Sequence, residues 1–206
     1  RQAFKESNLV LDFGYTEGYK KKSSTKKKGA KSHFFSQFTK NFVDKNSDTK
    51  IDFKIQNVSD DKYLKLYKID SNLVDHNKNE LESSFQFARS YEDSFLGINA
   101  SVYETLQGDY IDKYEYIFPE ITLDKNLLAS NNYGYLDLTS NFKAHNYDTN
   151  KTTQFFINDL NWNYDNFSFS SIVNGKVLGY FKNINYDVKN VDGFKESTTN
   201  EFFGAI

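Results

Sequence analysis

The chain has 206 residues, enough for one large all-β domain or two small ones. Its 26 basic and 28 acidic residues leave a net charge of -2, so nothing in the balance calls for nucleic acid. It has no cysteine, which excludes disulfides, thiolate metal sites and cysteine nucleophiles within the chain. There is also no methionine, the chain begins Arg1-Gln2-Ala3 without a signal peptide, and it ends within a strand-like run, so we read it as a piece of a longer polypeptide.

No apolar stretch of about 18 residues exists, so no transmembrane helix is expected. A spanning β-strand needs only about ten residues with every second one apolar, which a hydropathy average conceals. Phe, Tyr and Trp make up 17% of the chain and alternate with Asn, Asp, Lys and Ser. That mixture suits a sheet with one apolar face and one wet face.

Leu9, Leu11, Phe13 and Tyr15 fall on one side of a first strand, with Val10, Asp12, Gly14 and Thr16 on the other. The lysine run Lys20–Gly29 reads as a solvated loop or as a basic loop meeting phosphate groups of lipid. Strands follow over His33–Val43, around Ile51, Phe53 and Ile55, and over Tyr63–Ile69. After a polar loop at Asp70–Asn79 come strands through Leu81–Phe87 and Leu96–Tyr103. Gly108–Asp109 turns the chain into Tyr114–Leu123, interrupted by Pro119, the sole proline, which suggests an edge, a bulge or a break.

Asn131–Asn132 makes a turn before Leu136, Leu138 and Phe142, and His145–Lys151 is a polar loop. Phe156, Leu160 and Trp162 follow, then Asp165–Asn166 as a separator before Phe167, Phe169 and Ser171. Val177–Val188 is a longer strand, Val191–Glu196 a loop, and a last strand starts near Thr198. The expected fold is all-β, an antiparallel meander of about eleven strands. Such long strands match the length of a tilted bilayer crossing and so are compatible with part of a large transmembrane β-barrel, open as this piece stands. Its two outermost strands would be unpaired edges, prone to association.

Chemistry is not legible in the chain. His33, His76 and His145 lie far apart, and the carboxylate pairs Asp60-Asp61 and Glu92-Asp93 occupy turn positions. Ser83-Ser84 and Ser170-Ser171 lack a glycine elbow, and no phosphate-binding glycine loop exists. No catalytic, cofactor or metal residue is singled out, and the chain is read as a non-enzyme without cofactor. On pattern alone the aromatics fit two architectures equally. One is a soluble sandwich burying two apolar sheet faces, and the other a barrel with aromatic girdles at the membrane interfaces.

Asn99–Asn126 (NASVYETLQGDYIDKYEYIFPEITLDKN) and Tyr133–Trp162 (YGYLDLTSNFKAHNYDTNKTTQFFINDLNW) carry a family likeness. The phrases are Tyr116–Ile121, Leu136–Asn150 and the later Trp162, with Ser7–Gly18 and Thr198–Ala205 at the two ends. In that order they resemble the outer-membrane lipopolysaccharide assembly family LptD, the organic solvent tolerance proteins. Each phrase is a pattern of strand residues, not a catalytic signature. The resemblance runs over the whole chain and implies residues 1–206 as an internal part of the family's carboxy-terminal barrel in the cell outer membrane. The family's amino-terminal jellyroll and barrel-closing strands are not in this stretch, and Pro119 lies too deep to match the family's gate prolines.

The resemblance implies lipopolysaccharide transport into the outer leaflet. It also implies an LptE-type lipoprotein and a periplasmic Lpt bridge as partners, and contact with outer-membrane lipids. Alternatives are a soluble or surface-anchored β-sheet module that binds glycans or acts as an adhesin, and a porin- or receptor-type barrel.

Overall fold

The computed structural model describes residues 2–4, 6–17, 29–107, 112–147, 150–168, 174–194 and 198–206. The described residues form eleven strands: β1 (Gln2–Phe4), β2 (Ser7–Thr16), β3 (Lys31–Val43), β4 (Ser47–Val58), β5 (Glu80–Tyr91), β6 (Ser94–Thr105), β7 (Tyr114–Ser130), β8 (Gly134–Tyr147), β9 (Lys151–Ser168), β10 (Asn174–Lys189) and β11 (Thr199–Ala205). They make one sheet in strict sequence order, and every pairing is antiparallel. Among the described residues the sheet does not close on itself. No second sheet faces it, because extensive strand contacts join only sequence neighbours. The all-β antiparallel meander is therefore as expected, and a two-layer sandwich is not what forms.

Because side chains alternate faces and cross-strand partners share one, the register sorts the sheet into rows. One row reads Leu9, Phe38, Phe53, Phe85, Ala100. A second runs Ile51, Phe87, Ile98, Ile121, Phe142, Phe156. The opposite face carries Thr39, Asp52, Gln86, Asn99, Glu120 and Lys143 in register. A slip of one residue in any strand would exchange its two sets, so the pattern fixes the pairing.

Three local expectations are corrected, and at Pro119 one of the three readings, the bulge, is selected. Tyr63–Ile69 is not a strand: Tyr63–Tyr67 form a short helix, α1. Tyr63 and Leu64 are adjacent and both buried against the same core, which a helix face permits and a strand, with successive side chains on opposite faces, does not. Lys68 ends the helix in the left-handed conformation, its N–H donating to the Leu64 carbonyl. Pro119 neither breaks nor edges its strand. β7 runs through it, and the pairing skips from Ile117 to Glu120 against β8 and from Asn99 to Ser101 against β6. A proline has no N–H for the ladder, so an interior strand absorbs it as an irregularity.

The polar loop expected at His145–Lys151 shrinks, because β8 continues to Tyr147, which pairs with Lys151. Asp165–Asn166 is no separator either: β9 runs through it to Ser168, and Asp165 meets Lys176 on β10 at 2.9 Å. Phe169 and Ser171 lie outside the described residues, as do Ser170, Gly108–Asp109 and most of the lysine run.

One compact core exists among the described residues. The β4–β5 connection, residues 59–79 with α1, folds back over the sheet. Phe35, Val58, Tyr63, Leu64, Val74, Leu81 and Leu106 bury one another, with Tyr67, Ile69 and Leu73 around them. Phe35 and Val58 belong to the face that carries Gln37 and Asp52, so this cap sits on the polar side. Leu64 is 0% exposed, and its removal leaves a cavity worth about 2–5 kcal/mol. Leu64→Ala is expected to release residues 59–79 while the strands persist, read as faster amide exchange confined to that segment.

Candidate functional site: an uncovered apolar face and a capped polar face

The apolar face is exposed over most of its area. Leu11, Phe13, Phe34, Phe42, Phe53, Phe85, Phe118, Phe156, Phe181 and Phe202 are all open. A shallow depression on it is lined by Phe53, Ile55, Phe85, Ala100, Val102 and Phe118. Trp162, the single tryptophan, lies in register with Leu136 on this face. Its indole N–H donates to the Tyr133 carbonyl at 2.7 Å, and its ring stacks on Tyr164. Monomeric soluble proteins rarely expose a contiguous apolar surface of this kind; such surfaces mark contacts with a protein, a membrane or a ligand.

The polar face is knitted by cross-strand bonds. Thr39 and Gln37 donate to the Asp52 carboxylate, at 2.6 Å and 3.2 Å. Lys54 meets Glu82 at 2.7 Å, and Asn99 donates to Glu120 at 3.2 Å. Thr122 bonds Asn141, Asn126 donates to Asp137, and both Tyr180 and Lys182 reach Asp159.

Where α1 covers this face, polar groups are buried and partnered. His33 is 5% exposed, stacks on Phe35, and bridges Asp12 (3.2 Å) and the Tyr63 hydroxyl (3.3 Å). Burial, helped by the nearby Tyr67 and Asp12, raises the Tyr63 phenol above its ordinary pKa. Gln56, 3% exposed, donates to the Leu73 carbonyl at 2.6 Å and accepts from the Glu82 N–H.

Charge pins the cap at its rim. Lys31 pairs with Asp60, and Lys113 reaches both Asp61 (2.9 Å) and Glu104 (2.8 Å). The hydrogen bond from Lys31 holds the Asp60 carboxyl below its usual range. The bonds to Glu104 and Asp61 push Lys113 well above its own.

The three histidines do not converge. His33 meets Asp12, His145 meets Glu115 at 2.6 Å, and His76 meets Asp70 at 2.7 Å. With Asp75, the last pair brings three ligand atoms within 4.8 Å on an exposed loop, the one such group among the described residues. The Asp60-Asp61 pair lies in a turn, as read in the sequence, with Asp60 Oδ1 accepting from the Lys62 N–H, and it also anchors the cap through Lys31 and Lys113. Ser83 and Ser84 are sheet residues, and Ser83 Oγ accepts from the Gln56 N–H. The cap escaped the sequence reading because its signal is a buried polar pair, His33 and Gln56, contacted by residues far along the chain.

The fold and these surfaces define an all-β meander with one unpartnered apolar face. No protein-family model matches the chain, and no curated protein does.

Two outcomes follow from this geometry. A Cβ at Gly14 would sit 2.3 Å from His33 Cε1, so the ring is accommodated only because residue 14 has no side chain. Gly14→Ala is expected to displace His33 and destabilise the cap by about 1–3 kcal/mol, read by urea unfolding. Asp60 has a lowered pKa, so its contribution is full above its unfolded value of about 3.9 and is lost as pH falls through the folded value. Asp60→Asn should therefore make residues 59–79 more protease-sensitive at pH 6, a difference from wild type that narrows as pH falls below about 3.9.

Proposed function

We propose that the chain is a stretch of the wall of an outer-membrane β-barrel that carries lipopolysaccharide to the outer leaflet. The observation that carries the membrane reading is the single sheet whose apolar rows face nothing else among the described residues. In hydrocarbon every backbone group needs a protein partner, and neighbouring strands supply it here. Ten- to eighteen-residue strands from β2 to β10 suffice to cross a bilayer at a tilt. On this reading the apolar face meets lipid and the polar face lines a wet lumen past which the sugar portion moves.

Connection lengths give the wall a direction. Residues 44–46, 92–93, 131–133 and 169–173 join strands at one end; residues 17–30, 59–79, 106–113, 148–150 and 190–198 join them at the other. Bacterial barrels carry short turns on the periplasmic side and longer loops outside. The cap over the polar face then narrows the lumen at its outer mouth.

The cargo rests on the family resemblance of Asn99–Asn126 and Tyr133–Trp162. The same resemblance supplies the LptE-type lipoprotein and the periplasmic bridge as partners. In lipid vesicles, acyl chains brominated near the headgroup should quench Trp162, the sole indole and one on the apolar face. An unquenched, water-exposed Trp162 overturns the membrane reading. For the cargo, depletion of the complete gene product should block lipopolysaccharide from reaching the cell surface; normal surface levels overturn it.

A further inference from the structure

The apolar face is not uniformly apolar. Lys40, Arg89 and Lys125 share it with Phe38, Phe87 and Leu123. All three lie toward the short-turn end: Lys40 near the end of β3, Arg89 near the end of β5, and Lys125 opposite Ser94, where β6 begins. On the polar face Lys54, Lys143 and Lys182 each have a carboxylate partner. Among the described residues none of the three cations on the apolar face meets one.

Aromatic rings hold two of them instead. The Lys40 ammonium lies 4.7 Å from the Phe42 ring centre, and the Arg89 guanidinium 4.6 Å from that of Tyr91. Arg89 Nε is buried without a hydrogen-bond partner. The acidic residues of these strand ends, Asp48, Asp124 and Asp137, fall on the opposite face. Asp44, Glu92 and Asp93 lie in the turns beyond. Charge is thus segregated: cations alone stand where the apolar face meets the short turns.

We propose that Lys40, Arg89 and Lys125 form a belt that binds the phosphate groups of anionic phospholipid headgroups. The proposal rests on the membrane reading above, which places the short-turn end in the periplasm-facing leaflet. The stems of Lys40 and Arg89 lie along the apolar surface while their charged ends reach toward the headgroup level, stacked on Phe42 and Tyr91. Headgroup phosphates supply the anions that the protein does not. Each cation near an anionic surface is worth roughly a fivefold change in partition.

The test uses the whole chain folded into vesicles of phosphatidylcholine containing a minority of phosphatidylglycerol. After mild detergent extraction, the lipid that remains bound is quantified. Wild type should be enriched in phosphatidylglycerol over the bulk composition. Lys125→Gln, at an exposed position that leaves packing intact, should lower the enrichment roughly fivefold, and the triple variant Lys40→Gln, Arg89→Gln, Lys125→Gln should abolish it.

The charge-keeping triple Lys40→Arg, Arg89→Lys, Lys125→Arg should retain the enrichment. So should Lys50→Gln, a cation near the same strand ends but on the polar face. Absence of enrichment in wild type, or full enrichment in Lys125→Gln, overturns the belt. Loss of bound lipid in sodium phosphate, but not in sodium chloride of equal ionic strength, would mark a site for free phosphate and also overturn it. Trp162 quenching in pure phosphatidylcholine separates the two readings: quenching without enrichment defeats only the belt, whereas no quenching defeats the membrane reading beneath it.

Discussion

Each strand of this protein satisfies its backbone only through the strand before it and the strand after it. That ladder is the constraint on which the rest depends. It holds side chains at a strict period of two, and antiparallel register carries the alternation from strand to strand without loss. A row such as Ile51, Phe87, Ile98, Ile121, Phe142 and Phe156 is the outcome, and so is the polar row behind it. No helix layer or second sheet is needed to organise such a wall, and among the described residues none is present on its apolar side.

The two faces are stabilised by different physics. The apolar one gains little from the protein itself, since its rings stand open, and depends on what surrounds it. The polar one is self-sufficient. Some of its carboxylates take bonds from two neighbours, as Asp52 does from Gln37 and Thr39 and Asp159 from Tyr180 and Lys182, and others from one, as Glu82 does from Lys54. The cap is the exception that joins both modes: a small hydrophobic core built on a polar surface. It is possible because His33, Gln56 and Asp12 turn their polar atoms toward Tyr63, Leu73 and one another instead of leaving them unpaired.

Most of the strands were readable because Phe, Leu and Ile recur at every second position and have few competing explanations. Helix α1 was not, since Tyr63, Tyr67 and Ile69 satisfy a period of two nearly as well as a helical one over so few residues. Only the burial of Leu64 beside Tyr63 decides the matter, and burial depends on Phe35 and Val74. Asp165–Asn166 misled for the opposite reason: turn-forming residues sit inside β9, where the ladder to β10 continues and Asp165 meets Lys176 across the pair. Pro119 left three readings open, and the register skips on both flanking pairs select the irregular interior strand. The cap was invisible because it joins Asp12, His33 and Tyr63, which no local pattern links.

The strict neighbour-to-neighbour order has a consequence for how such a wall comes into being. Contacts between adjacent strands close short loops, apart from the spans 17–30 and 59–79, so the entropic cost of most new pairings stays modest. The sheet can therefore lengthen hairpin by hairpin, each finished edge templating the next arrival. At any stage unpaired backbone then stands along two lines only, the outer edge of the first strand and the newest edge.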